Sequence, residues 1–257
     1  MKALILAGGL GTRLSEETST RPKPMVNIGD HPILWHIMKH LSCYGIKEFI
    51  ILGGYKSYVI KEYFLNYRLH NSSAIFYTNS SKIDFISEVN EDWKVTVLDT
   101  GLETGTAGRI AKAELLIGEA DFLLTYGDGL SDVNIHKLIE QHHATGAEVT
   151  LTSVIPEGRY GRIELSHERV ISFSEKEITK DSWINAGFFI VKKSMLKFIT
   201  SDSQSWEFDI LPLISERETL CAYKHRGFWH AMDTLRDRMT LENLWNTQSA
   251  PWKIWSA

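Results

Sequence analysis

The chain has 257 residues, of which 43% are hydrophobic and 23% are charged, and its formal net charge is −4. This composition is typical of a protein with a large apolar core, and it argues against a broad basic surface for nucleic acid. No apolar run could span a bilayer, and the N-terminal one is too short for a signal sequence. We therefore expect a cytoplasmic protein with neither membrane nor nucleic-acid partners.

The N-terminal segment predicts a buried strand that ends in a phosphate-binding loop. Residues 3–7 form an unbroken apolar run, which is typical of a strand buried on both faces of a parallel sheet. Glycines follow at once, and they let backbone N–H groups approach an anion closely. These glycines are Gly8, Gly9 and Gly11. Arg13 adds a cation, and Lys23 adds another between two prolines.

Other interpretations of this segment stay open at this point. Gly9 and Gly11 begin the dinucleotide fingerprint, but Leu14 stands where the third glycine belongs. A P-loop needs Gly-Lys followed by Ser or Thr, which the segment lacks. An ordinary glycine turn with Arg13 in solvent is the remaining alternative.

The next segments predict a parallel α/β sheet with a β insertion. A helix is predicted from Pro32 to about Gly45, a strand over 48–52 and a second helix over 56–67. This alternation indicates parallel strands joined by right-handed crossovers. Three short strands are predicted next, at 74–78, 83–87 and 94–98. We interpret residues 70–100 as a β insertion beside the main sheet.

Two later segments place polar residues where such sheets bind ligands. Residues 104–109 open a helix, whose free N–H groups could hold an anion beside Arg109, although a simply capped helix fits equally well. A buried strand at 122–125 ends in Tyr126-Gly127-Asp128-Gly129. The carboxyl end of a parallel strand is a common ligand site, but Asp-Gly is also an ordinary turn.

The C-terminal part predicts a second lobe and a final helix. Strands are predicted at 162–165, 170–175 and 184–191, after a helix at 134–145 and a strand at 148–154. A helix over 206–216 is expected to bury Phe208, Leu211 and Ile214. Asp233 precedes a helix at 235–246 and could simply cap it. The tail at 251–255 is expected to pack on the body or on a partner. We predict one domain, with a core at 1–155 and a smaller lobe, helix and tail at 156–257.

The combined motifs resemble the sugar-1-phosphate nucleotidylyltransferases, within them the CTP-using branch, almost from end to end. The matching stretches are 2–18, 22–25, 32–38, 54–56, 58–64, 93–96, 99–101, 125–129, 227–229, 232–237 and 250–253. This resemblance implies a Rossmann-like, mostly parallel sheet flanked by helices. It also implies Mg²⁺-dependent transfer of CMP from CTP to a sugar-1-phosphate, by default glucose 1-phosphate, giving CDP-glucose and pyrophosphate for surface polysaccharide or deoxysugar synthesis.

The resemblance also implies roles for individual residues. The nucleotide-binding residues would be Leu6, Ala7, Gly8, Gly9, Gly11, Thr12, Arg13, Lys23, Thr106 and Arg109. The sugar-phosphate-binding residues would be Tyr126, Gly127, Lys176, Asn185 and Gly187. Asp128 and Asp233 would hold Mg²⁺, and Arg13, Lys23 and Asp128 would be the catalytic residues.

Several alternatives follow from departures from the family pattern. These departures are Ala107, Arg162, Glu177 and Ala186. Because most fall in the predicted acceptor lobe, another phosphorylated acceptor stays open. The same chemistry with UTP or dTTP in place of CTP is a separate alternative. A non-catalytic nucleotide-sugar sensor is the alternative from another class. The resemblance and the aromatic tail also imply a homo-oligomer.

Overall fold

The structure is a computed structural model, and it describes residues 1–87, 91–156, 162–166, 169–174 and 183–255. The β-strands are β1 (Lys2–Ala7), β2 (Asn27–Ile28), β3 (His31–Pro32), β4 (Glu48–Gly53), β5 (Ala74–Phe76), β6 (Ile83–Phe85), β7 (Lys94–Asp99), β8 (Phe122–Tyr126), β9 (Gly129–Ser131), β10 (Val149–Val154), β11 (Arg162–Ser166), β12 (Arg169–Ser174), β13 (Ile184–Val191), β14 (Leu220–Lys224) and β15 (Trp229–Ala231). The α-helices are α1 (Ser15–Thr18), α2 (Ile33–Ser42), α3 (Ser57–Leu65), α4 (Tyr67–Asn71), α5 (Thr106–Lys112), α6 (Glu114–Ile117), α7 (Ile135–Thr145), α8 (Leu211–Glu216) and α9 (Leu235–Asn246).

A seven-stranded sheet in the described part of the chain has the order β14-β10-β13-β8-β1-β4-β7. Only β13 runs antiparallel to its two neighbours within these strands, and the other neighbouring pairs are parallel. The predicted mostly parallel α/β sheet is therefore confirmed. None of the helices in the same described part combines the length and apolarity that a membrane crossing would require.

Strand β1 is buried on both faces, as its unbroken apolar run predicts. Successive side chains of a strand point to opposite faces of the sheet. Ala3 and Ile5 accordingly join a core that includes residues of α2, α7 and α9, whereas Leu4 and Leu6 join a second core that includes residues of α5 and α8. Helices thus cover both faces, and only the ends of the central strands are left for a ligand.

Two sequence predictions about strand placement are wrong. The strand predicted at 94–98 within a β insertion is β7, which pairs in parallel with all of β4 and forms the edge of the main sheet. The strand predicted at 184–191 within a second lobe is β13, which lies between β10 and β8. The short antiparallel pairs β5–β6 and β11–β12 stay outside the main sheet. The local pattern predicts that a segment is extended, but it does not identify the strand that it pairs with.

The predicted inner face of the helix over 206–216 is also wrong at Phe208. The segment Trp206–Ile210 is a π-helix, and the amide of Ile210 donates to the carbonyl oxygen of Ser205, five residues earlier, at 3.2 Å. This wider turn changes which residues face inward. Trp206, Ile210 and Ile214 are fully buried, while Phe208 is 85% exposed.

The aromatic tail packs on the body of the same chain. Trp252 is fully buried, and its ring stacks with those of Phe228 and Trp245. Its indole N–H donates to Nδ1 of His36 at 3.3 Å, and the other ring nitrogen of His36 lies 2.8 Å from the carbonyl oxygen of Ile28. The tail therefore secures α9 against α2.

Candidate active site

A cavity of about 710 Å³ opens where β1, β8 and β13 meet. This is within the ordinary size range of ligand sites, and the end of a parallel sheet is a common place for one. The glycine-rich loop at 8–13, the turn at 126–129, the start of α5 and the side chains of Asn185 and Glu207 line it. Of the predicted site residues that the structure describes, all but Gly187 lie in this lining.

Two carboxylates from distant parts of the chain meet in the cavity. Strands β9 and β15 pair antiparallel, with Gly129 opposite Ala231. The amide of Met232 then donates to the carbonyl oxygen of Asp128 at 2.8 Å. This short ladder holds the side chains of Asp128 and Asp233 on either side of one cation, the ammonium group of Lys23.

Lys23 makes an ion pair with each carboxylate. Its Nζ lies 2.6 Å from Oδ2 of Asp128 and 2.7 Å from Oδ1 of Asp233. Burial acts to lower the pKa of Lys23, but the adjacent Asp128 and Asp233 outweigh it and raise this pKa above its ordinary value. Lys23 therefore stays charged at any physiological pH.

Arg13 extends this charged group to the rim of the cavity. Its Nη1 lies 3.0 Å from Oδ2 of Asp233, and its side chain is 75% exposed. Asp233 does not cap α9, because Thr234 and Asp237 form a capping box there instead. The carboxylate of Asp233 is thus directed to the two cations rather than to its own helix.

The pair of carboxylates fits a hard divalent cation. Both Asp oxygens contact a single positively charged atom, Nζ of Lys23, so they converge on one point. Mg²⁺ is usually held by one or two carboxylates, with substrate phosphates and waters completing its shell. Among the described residues no cluster of three or more acidic, histidine or cysteine side chains offers an all-protein cage. Asp128 and Asp233 would hold the ion together with a phosphate-bearing ligand.

The glycine loop adopts the backbone that close approach to an anion requires. Gly11 has a φ of +65°, a conformation that disfavours any side chain, and its carbonyl oxygen accepts hydrogen bonds from Leu14 N and Thr18 Oγ1. A Cβ at Gly9 would meet no atom within 4 Å, so the backbone there faces open space. Leu6, Ala7 and Thr12 border the cavity on either side of these glycines.

Arg109 anchors the loops around the cavity. Its guanidinium group is buried and donates to the carbonyl oxygens of Gly53, Gly101 and Leu102 and to the hydroxyl of Thr100. Burial lowers its pKa below the ordinary arginine value. The same group lies against Gly8, where a Cβ would be 2.3 Å from its Cζ. Arg109 therefore holds the glycine loop against the segments that follow β4 and β7.

The turn after β8 is packed tightly beneath the ligand space. Gly127 allows this packing, because a Cβ there would come within 2.9 Å of the carbonyl oxygen of Leu6. Gly187 has a φ of +83° and lies under the ring of Tyr126, so it supports the cavity from behind. Asn185 lines the cavity, and its Oδ1 accepts from the amide of Gly187 at 2.9 Å. Lys176, the predicted sugar-phosphate ligand, lies outside the described residues, as does Glu177.

Sequence reasoning missed Glu207, a carboxylate in the cavity wall. Its Oε1 accepts from the hydroxyl of Tyr126 at 2.6 Å, and its Oε2 accepts from Thr106 at 2.6 Å. Glutamate in the first turn of a helix is an ordinary surface pattern, so its sequence context carries no signal of this role.

The comparison with family models shows the class of protein to which this fold and cavity belong. The model described as nucleotidyl transferase matches residues 2–241, so the chain belongs to the nucleotidyl transferase family of enzymes. The chain is similar to glucose-1-phosphate cytidylyltransferase of Salmonella typhi, at 48% identity over 99% of this chain and 100% of that protein.

Two further comparisons agree with this placement. The chain shares 41% identity with the probable glucose-1-phosphate cytidylyltransferase of Bacillus subtilis, over 99% of this chain and 100% of that protein. The solved structure of HddC from Yersinia pseudotuberculosis aligns with a TM-score of 0.69 at 25% identity, covering 95% of this chain and 99% of that one.

Proposed function

We propose that the protein transfers CMP from CTP to α-D-glucose 1-phosphate and releases CDP-glucose and pyrophosphate. The observation that carries this proposal is similarity at 41–48% identity along the whole chain to proteins named for this activity. The cavity supports it, since it combines a glycine loop, two cationic side chains and a convergent pair of carboxylates.

The reaction needs charge neutralisation and alignment rather than a protein nucleophile. An oxygen of the sugar phosphate attacks the α-phosphorus of CTP, a new P–O bond forms, and the bond to the bridging oxygen breaks. Its electron pair leaves with pyrophosphate. Because the cavity walls hold the two substrates in line, their reaction becomes effectively unimolecular.

The chain's own groups have distinct tasks in this proposal. The loop at 8–13 binds the triphosphate, and Arg13 and Lys23 offset the negative charge that builds on the leaving pyrophosphate. Asp128 and Asp233 hold Mg²⁺, which when bound would neutralise phosphate charge and orient the phosphates. Thr106 and Arg109 border the nucleotide, with Arg109 acting through the loops that it anchors. The space for the sugar phosphate would be shaped by Tyr126, Gly127, Asn185 and Gly187, and Lys176 is the proposed ligand of the phosphate.

The metal assignment is tested with single carboxylate variants. Asp128→Asn and Asp233→Asn should each lower pyrophosphate release from CTP and glucose 1-phosphate by roughly 100-fold or more, because each removes one ligand charge while preserving shape. Asp30→Asn is the matched control, since Asp30 is exposed and outside this cavity. Near-normal release by either cavity variant would contradict the assignment.

A homo-oligomer is also proposed. Apolar side chains stay exposed on α3 and around the β5–β6 pair, where Leu65 is 84% and Phe76 is 61% exposed. Interfaces between subunits commonly cover exposed apolar patches, and these side chains are candidates for such a patch. Light scattering after gel filtration would test this, and a monomeric mass across concentrations would refute it.

A further inference from the structure

Several hydrogen-bonded polar side chains lie in the cavity wall, with Glu207 at their centre. On one side, the hydroxyl of Tyr126 donates to Oε1 of Glu207, and Nδ2 of Asn185 lies 3.5 Å from the same hydroxyl. On the other side, Thr106 and Ser205 donate to Oε2 at 2.6 and 2.9 Å. Glu207 therefore joins the start of β13 to the start of α5.

Glu207 is a carboxylate whose partners are neutral hydroxyls. Within the described ranges, none of the ion pairs involves Glu207. Among the described residues, the hydrogen bonds that hold its charge in the cavity wall come from Tyr126, Thr106 and Ser205. A carboxylate has about four lone-pair positions, so roughly one is left for a donor from a ligand.

The hydroxyl of Tyr126 is also fixed in its orientation. Burial and the neighbouring Glu207 carboxylate raise the pKa of Tyr126 well above its ordinary value, so the hydroxyl stays protonated. Its hydrogen points to Glu207, and its oxygen accepts from Nδ2 of Asn185 at 3.5 Å, so both neighbours fix the hydroxyl in the cavity wall.

Glu207 suits the uncharged part of a ligand. The remaining acceptor position of Glu207 binds a hydroxyl hydrogen, and the carboxylate repels phosphate. The cations that attract phosphate, Arg13 and Lys23, belong to the charged group around Asp233 instead. A ligand with a phosphate and several hydroxyls would therefore present its hydroxyls to Glu207.

We propose that Glu207 determines specificity by recognising hydroxyl groups of the sugar-1-phosphate acceptor. It would do so directly through its remaining lone pair and indirectly by orienting the hydroxyl of Tyr126. This inference rests on the proposed function, in which Tyr126 and Asn185 border the sugar phosphate, and the test below distinguishes the acceptor from the nucleotide ribose.

The variant Glu207→Gln tests the inference, since it keeps the shape and removes the charge and one acceptor. The KM for glucose 1-phosphate should rise about tenfold or more, while the KM for CTP changes less than about twofold and kcat less than about threefold. Glu216→Gln is the matched control, because Glu216 is an exposed acid on the helix that follows. It should leave all three constants unchanged.

A series of monodeoxy glucose 1-phosphates separates recognition from a structural role. The wild type should discriminate against at least one of the 2-, 3-, 4- and 6-deoxy analogues by about tenfold in kcat/KM. Glu207→Gln should lose most of that discrimination for the same analogue. Tyr126→Phe, which removes one hydroxyl, should show a smaller loss of the same kind if Glu207→Gln proves unstable.

Three results would overturn the assignment of Glu207 to the sugar hydroxyls. Equal losses by Glu207→Gln for glucose 1-phosphate and every analogue would mean that Glu207 is only structural and would overturn the inference. An altered preference between CTP and dCTP, with sugar discrimination intact, would assign Glu207 to the ribose and overturn it too. If the wild type releases no pyrophosphate from CTP with any sugar 1-phosphate, the proposed function fails and this inference fails with it.

Discussion

Replacing Lys23 by methionine should have opposite effects on metal binding and on turnover. The ammonium group of Lys23 lies between Asp128 and Asp233, where a divalent cation would have to bind. A free metal ion must displace that ammonium, whereas a metal that arrives with a triphosphate offers Lys23 a new anionic partner. Lys23→Met removes the competitor but also the charge that assists the leaving group.

The size of the effect follows from the two ion pairs. Each charge-assisted hydrogen bond is worth about 1.5–3 kcal/mol, and the partial exposure of both carboxylates lowers this, so we take about 2–3 kcal/mol for the two together. That energy corresponds to a roughly 30- to 150-fold change in affinity. Without nucleotide, Lys23→Met should bind Mn²⁺ more tightly by this factor, while its kcat for pyrophosphate release falls by about 100-fold or more.

The assay is Mn²⁺ titration followed by electron paramagnetic resonance, with and without CTP. Lys61→Met is the control, because it removes one exposed charge on α3. Adding Asp128→Asn to Lys23→Met should abolish the gain in affinity. Unchanged Mn²⁺ affinity in a folded Lys23→Met protein would refute the reasoning that Lys23 competes for the metal position.

Two further predictions concern stability. Burial lowers the pKa of His36 to about 4, so the unfolded chain gains a proton on this residue before the folded one does, and stability falls as the pH drops from about 6.5 towards 4. Between pH 7 and pH 5, chemical denaturation should show that His36→Gln loses about 2 kcal/mol less of its free energy of unfolding than the wild type does. The control variant His143→Gln, at an exposed position, should lose as much as the wild type. Equal losses in the wild type and both variants would be contrary to this account. Trp252→Ala should lower the free energy of unfolding by about 3–5 kcal/mol, because Trp252 is fully buried. Ile254→Ala on the same tail should lower it by less than about 1 kcal/mol. Similar values for the two variants would show that the tail is not anchored through Trp252.

The sequence predicts the features of this site that depend on local patterns. The apolar run of β1, the glycines after it and the placement of Asp128 at the end of β8 all follow from neighbouring residues. The glycine loop and Asp128 are then expected to lie close together, because parallel strands end at one edge of a sheet.

Features that depend on distant partners were not predictable in this way. From sequence alone, β7 looks like part of an insertion and β13 looks like part of a second lobe, because their pairing partners are not known. Glu207 reaches partners 81 and 101 residues away, Tyr126 and Thr106, so no local spacing reveals it. The π-helix at Trp206–Ile210 also changes the buried face of a segment whose sequence reads as an ordinary helix.

Pyrophosphate release is the most direct test of the central proposal. The purified protein would be assayed with Mg²⁺, pairing CTP, UTP, dTTP and GTP each with a panel of sugar 1-phosphates. We expect release with CTP and glucose 1-phosphate at least about tenfold above any other pair, in kcat/KM, and CDP-glucose as the product by mass spectrometry. Equal rates with all nucleotides, or CTP binding with no release from any sugar phosphate, would contradict the proposed function.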